Sequence, residues 1–142
     1  MSMKQEPDKK KGVWVTPWEF FNPLKEEFLL QVDVCATAEN ARLPKYFDEA
    51  MDGLKQDWSH QRCWMNPPYG RSISKWVKKA AEAGPGIRVC LLPARTDTRW
   101  FHDYIYGKAE IRFIKGRIKF SGMKGSGKFP SMVVIFRVLP SQ

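Results

Sequence analysis

The stretch from residue 62 to 92 constrains the fold more than any other part of the chain. Arg62-Cys63-Trp64-Met65 is a short apolar run of strand length that stops abruptly at Asn66-Pro67-Pro68-Tyr69-Gly70. Beyond Ser72, a candidate N-cap, Ile73, Trp76, Val77, Ala80 and Ala81 recur at i, i+3, i+4, i+7 and i+8, the spacing of an amphipathic helix. Gly84 and Pro85 end that helix, and Ile87-Arg88-Val89-Cys90-Leu91-Leu92 follows as a second buried strand. Strand, helix and strand joined by tight loops make a βαβ unit, which demands parallel pairing and a right-handed crossover.

The flanking segments extend this unit into an α/β fold. Residues 1–12 are Lys-rich without apolar periodicity and read as a mobile basic arm, which leaves 13–142 as one domain. Thr16 as N-cap, Pro17 at the first helical position and Glu19 completing a capping box open a short helix that Pro23 should end or bend. The apolar run Phe28 to Ala36 and the shorter Lys45-Tyr46-Phe47 have strand character. A second helix should start near Asp97 or Thr98 and end at Gly107, with Trp100, Phe101, Tyr104 and Ile105 on its apolar face. Ile111 to Ile114 and Arg117 to Phe120 alternate apolar with basic residues, as half-buried antiparallel strands do. A Gly/Lys/Ser loop spans 121–128, and Ser131 to Val138 forms the last strand. The expected sheet is mostly parallel in its centre with an antiparallel C-terminal edge.

Charge is uneven along the chain. The net charge is +9, and from Arg99 to Gln142 nine Lys and Arg stand against only Asp103 and Glu110. Such clustering suits a phosphate-facing surface, or a solvated basic face with no partner. Cys35, Cys63 and Cys90 show no paired ligand spacing, and His60 and His102 add none, so no metal is expected; three free thiols suit a reducing cytoplasm. No apolar run is long enough to span a bilayer, and the first residues are no signal peptide, so no membrane partner is expected.

In an open α/β sheet, ligands bind outside the carboxyl ends of the strands, which is where Asn66 to Tyr69 falls. Two prolines stiffen the corner and remove two backbone donors. The amide oxygen of Asn66 and the carbonyl of Pro67 can accept from both hydrogens of an amino group on a planar ring, while Tyr69 stacks on its face. A plain strand-terminating turn capped by Asn66 uses the same residues.

Asn66-Pro67-Pro68-Tyr69 resembles the catalytic (D/N)PPY motif of amino-group methyltransferases. More of the chain is similar to the phage-type DNA N6-adenine methyltransferase (Dam-like) family. The blocks are Thr16-Pro17, Asp33 to Ala36, Asp52-Gly53-Leu54 with Trp58, Asn66 to Gly70, Leu91 to Thr98, Gly116 to Phe120, and Phe129 to Ser131. The resemblance implies a Rossmann-like domain that uses S-adenosylmethionine and no metal, encoded by a phage or prophage and acting on DNA in a bacterial cytoplasm. It places Asn66, Pro67, Pro68 and Tyr69 in catalysis. It places Thr16, Pro17, Asp33, Cys35, Ala36, Asp52, Leu54 and Asn66 at the cofactor, Asp52 on the adenine amino group. Asp33 is also placed to cap a strand end and Asp52 to make a turn before Gly53.

The family's chemistry requires adenine to be flipped out of the duplex and held by its amino group, stacked on Tyr69. Arg112, Lys115, Arg117, Lys119, Lys124 and Lys128 are the candidates for phosphate contacts, which should make binding fall steeply with salt. Arg95 and Asp97 follow the strand next to the Asn66 corner and are placed to line the cleft; Asp97 is equally placed as a helix N-cap. One departure stands out: the loop Asp33 to Asn40 has none of the glycines that methyltransferases of this fold carry there, so close backbone approach must arise elsewhere. A nucleic-acid-binding module without catalysis, and methylation of RNA adenine or of a glutamine side chain, are the competing readings.

Overall fold

The computed structural model describes residues 15–120 and 129–140. Along the chain lie α1 (Trp18–Phe28), β1 (Val32–Asp33), β2 (Lys45–Tyr46), a 3-10 turn (Gly53–Lys55), β3 (Gln61–Met65) and α2 (Ile73–Glu82). After them come β4 (Gly86–Pro93), a π-helical turn (Phe101–Ile105), β5 (Glu110–Phe113) and β6 (Ser131–Val138). Six strands form one sheet in the order β2-β1-β3-β4-β6-β5. The first four are mutually parallel, and β6 runs antiparallel between β4 and β5.

The expected βαβ unit is present, with Gln61 opposite Gly86 and Met65 opposite Cys90 across the β3/β4 pair. Alternation along the strands splits the core into two layers. Cys63 and Met65 of β3, Cys90 and Leu92 of β4, and Met132, Val134 and Phe136 of β6 pack with Trp76, Val77 and Ala80 of α2. Their neighbours Trp64, Val89, Leu91, Val133 and Ile135 face the other way, against Phe21, Leu24 and Phe28 of α1. Both faces are covered, which is why these strands read as continuous apolar runs.

Four local expectations give way. Thr16 does not cap α1: the cap is Pro17, whose carbonyl accepts from Phe20 and Phe21 N–H, while the Thr16 hydroxyl is engaged elsewhere. Pro23 does not end α1, which continues to Phe28 with Phe21, Leu24 and Phe28 on either side buried and offsetting the one lost helix bond. The apolar run from Phe28 to Ala36 yields only the two-residue β1: the helix keeps Phe28, and Leu29 turns the chain in a left-handed conformation at φ 53°. Among the described residues Arg117 to Phe120 pairs with no strand; Ile118 and Phe120 instead bury into the α1-side core. A solvent-out, core-in alternation arises whenever extended chain lies on a packed face, with or without a ladder.

Gly53 explains how a glycine-free loop follows β1. A Cβ there would stand 2.0 Å from the Val34 carbonyl oxygen and 3.1 Å from the Trp76 ring, so the 3-10 turn presses directly on the backbone after β1. Trp58 Nε1 donates to the Gly53 carbonyl at 2.9 Å and fixes that approach. We expect Gly53→Ala to destabilise the protein by about 1–3 kcal/mol, read as a lower melting temperature, because backbone must move to admit the methyl group.

Asp33, 2% exposed, is the second local anchor. Its carboxylate accepts from Cys35 N–H at 3.3 Å and Arg42 N–H at 3.0 Å, closing the 33–42 loop. Burial outweighs these bonds and pushes its pKa from 3.8 up to about 7. Between those values the folded protein holds a proton that the unfolded chain has released, so the Asp33 contribution to stability falls as pH rises through this window and is constant above it. The melting temperature of the wild type should therefore drop more between about pH 5 and about pH 8 than that of Asp33→Asn, which has nothing to titrate there. Equal slopes for the two proteins would contradict a protonated Asp33.

Candidate active site

The carboxyl ends of β1, β2, β3 and β4 open on one side of the sheet. β1 is followed in sequence by its neighbour on one flank, β2, whereas its other neighbour, β3, comes later, so the strand order reverses at β1. A crevice is expected at such a switch point, and a cleft of about 380 Å³ lies there. Ala36, Phe47, Pro68 and Trp76 supply apolar wall, and Asp48, Glu49 and Asp52 supply acidic groups. A narrow recess lined by Thr16, Asp33, Cys35, Asn40, Arg42 and Asn66 also borders Cys35 and Asn40 of the cleft.

Asn66 leaves the end of β3 directly. Its Nδ2 donates to Thr16 Oγ1 at 2.9 Å, and its Oδ1 accepts from the Tyr69 hydroxyl at 3.0 Å. The Tyr69 hydroxyl also lies 2.9 Å from the Leu91 carbonyl oxygen on β4, so the corner is stitched to two strands. Pro67 is buried, while Pro68 borders the cleft. Tyr69 is only 7% exposed, its ring set edge-on to Phe120 and Phe129 at 6.5 and 5.6 Å between centroids. Burial holds its phenol well above the ordinary tyrosine range.

The other cofactor candidates from the sequence divide by position. Cys35, Ala36 and Asp52 line the cleft, and Asp33 lies beneath it as the buried anchor. Burial raises the Cys35 thiol to about 12, so it faces the cleft as a neutral group. Asp52 sits at φ 57° with Oδ1 accepting from Leu54 N–H at 3.2 Å: it makes the turn and faces the cleft at once. Leu54 packs on the core instead of lining the cleft. Pro17 starts α1 beside Thr16.

Among the basic candidates, Lys115, Arg117 and Lys119 are exposed, and Phe120 ties their segment to the Tyr69 ring. Arg112 is committed elsewhere, paired with Glu27 at 2.6 Å and Glu110 at 2.7 Å, where it holds α1 to β5. Lys124 and Lys128 lie outside the described residues. Arg95 and Asp97 are exposed after β4, and the capping oxygen there is Thr98 Oγ1, which accepts from Phe101 N–H at 3.3 Å. Sequence reasoning missed Asp48, Glu49, Asn40 and Arg42. For the acids a signal existed, since an acidic residue just past the second strand of such a unit suits ribose hydroxyls. Among the described residues no three His, Cys, Asp or Glu side chains form a set that could hold a metal ion, and no helix is long and apolar enough to cross a membrane.

The DNA N-6-adenine-methyltransferase of Haemophilus phage HP1 (strain HP1c1) is 27% identical over 136 residues, covering 89% of this chain and 79% of that protein. The DNA N-6-adenine-methyltransferase of Escherichia phage T1 is 33% identical over 113 residues, covering 77% of this chain and 47% of that protein. A family model described as DNA N-6-adenine-methyltransferase (Dam) matches residues 3–141. The chain belongs to the Dam family of DNA N-6-adenine methyltransferases.

Proposed function

We propose that this adenine methyltransferase takes its methyl group from S-adenosylmethionine bound in the cleft between the 33–36 and 47–53 segments. The observation that carries the reading is the Asn66 amide, fixed at the end of β3 beside that cleft. The residues fit such a group: about 380 Å³ is within the range of small-molecule sites, about 300–1,000 Å³. Asp48 and Glu49 suit ribose hydroxyls, Asp52 suits the adenine amino group, and three acids favour a cationic ligand. Phe47, Pro68 and Trp76 offer apolar surface to a ring. The sheet, with β6 antiparallel between β4 and β5, suits a Rossmann-like methyltransferase domain over 13–142.

When bound, S-adenosylmethionine supplies an electrophilic methyl group on a positively charged sulfur. The chain supplies position. Adenine N6 is a weak nucleophile because its lone pair is delocalised into the ring. An amide oxygen has two lone pairs, so Asn66 Oδ1 can keep its bond from Tyr69 and accept from the N6 amino group as well. With the Pro67 carbonyl accepting from the other amino hydrogen, the nitrogen lone pair is directed at the methyl carbon. The base must first leave the stack. Stacking on Tyr69 requires Phe120 and Phe129 to give up part of their present contact, which couples the basic segment ending at Phe120 to base capture. Lys115, Arg117 and Lys119 then hold phosphates of DNA. A phage or prophage origin and a bacterial cytoplasm complete the proposal.

The test is transfer of labelled methyl from S-adenosylmethionine to unmethylated DNA, with nucleoside analysis. Label should appear as N6-methyldeoxyadenosine in the wild type and vanish in Asn66→Ala, with S-adenosylmethionine affinity kept. Transfer to RNA alone would change the substrate, and DNA binding without transfer would leave a binding module.

A further inference from the structure

We propose that Thr16 is a positioning residue for the Asn66 amide and that Arg42 holds Thr16 in place; this rests on the transfer reaction proposed for Asn66. The end of β3 sets where Asn66 begins but not the plane of its amide, because the terminal torsion of Asn is broad. Contacts from two directions hold that plane. Tyr69 meets Oδ1 from the corner itself, whereas Thr16 meets Nδ2 from 50 residues away in sequence. With Nδ2 donating to the N-terminal segment, Oδ1 is the end that can accept from an amino group. Losing that tie weakens the hold on the amide's orientation, and a turned amide offers a donor where an acceptor is needed.

Thr16 is 2% exposed, so its place is itself fixed. Arg42 Nη1 donates to the Thr16 carbonyl at 2.9 Å and its Nε to the Asn40 carbonyl at 3.0 Å, while the guanidinium lies 3.8 Å over the exposed Trp18 ring. Three contacts in different directions use the planar fork of arginine, which a lysine ammonium does not reproduce. The Arg42 backbone is bound in turn to buried Asp33. The brace therefore runs from the end of β1 through Arg42 and Thr16 to Asn66, and it lies beside the acidic groups of the cofactor cleft without using them.

Thr16→Val keeps the side-chain shape and removes the acceptor; Thr16→Ser keeps it. The single-turnover methyl-transfer rate at saturating S-adenosylmethionine and DNA should fall about 10- to 100-fold in Thr16→Val and stay near wild type in Thr16→Ser. Because Thr16 lines the recess beside the cleft, affinity for S-adenosylmethionine is measured by titration calorimetry in both variants and should change less than the rate. Arg42→Lys, judged beside the melting temperature of each variant, should lower the same rate in the same direction and covers the case that Thr16→Val fails to fold. An unimpaired rate in Thr16→Val, a weakened S-adenosylmethionine affinity with the rate intact, or a Thr16→Ser variant as slow as Thr16→Val overturns the inference while the proposed function stands. Wild-type protein that transfers no methyl group overturns both.

Discussion

After β1 the chain must turn sharply beside a ligand cleft, and it does so with a buried carboxylate instead of glycines. Asp33 takes two backbone N–H groups into an environment that disfavours its own charge, at a cost recorded in its pKa of about 7. A side chain can do this because a carboxylate offers several lone pairs to converging donors, and leaving those N–H groups buried without a partner costs more. What the bond secures is larger than the loop. It fixes the Arg42 backbone, Arg42 fixes Thr16 and the start of α1, and Thr16 meets the amide at the catalytic corner. Close approach, which glycines usually permit within this loop, is supplied from across the cleft by Gly53.

The sequence was most legible where local pattern and tertiary packing asked for the same thing. β3, β4 and β6 are apolar runs buried on both faces, and α2 carries a clear helical period on its buried face, so their existence and order could be read directly. The candidate catalytic corner was legible for another reason: Asn66 to Tyr69 is contiguous, and a strand end needs little help to present it. Failures came where a local pattern had more than one physical use. Thr16-Pro17-Trp18-Glu19 satisfies a capping box, yet the Thr16 hydroxyl goes to Asn66, a partner that no window of sequence contains. The alternation from Arg117 to Phe120 describes extended chain on an apolar face and cannot say whether a ladder accompanies it.

Arg42 had no local signal at all. It is one of many basic residues in a basic chain, and only the fold reveals that its charge is spent inward, on two carbonyls and an indole. Arg112 makes the same point in reverse: it belongs to the basic C-terminal third, but Glu27 and Glu110 claim it for holding α1 to β5. Counting charges along a sequence therefore overstates what remains for a polyanion. Lys115, Arg117 and Lys119, exposed and tied through Phe120 to the catalytic corner, are the part of that count with both access and position.

Sheet order then sorts the remaining charge. Asp48, Glu49 and Asp52 follow β2 at one edge of the sheet, while Lys115, Arg117 and Lys119 follow β5 at the other, with Asn66 at the end of β3 between them. In the proposed reaction these charges would draw a cationic methyl donor and an anionic DNA backbone to opposite sides of one amide. A Debye length of about 8 Å at physiological salt keeps each field local, so the two do not cancel within a small protein. In the proposed reaction, donor and base would approach the Asn66 amide from these two flanks of the sheet. The bracing of that amide matters because, with both substrates steered independently, it is the one element that must register them against each other.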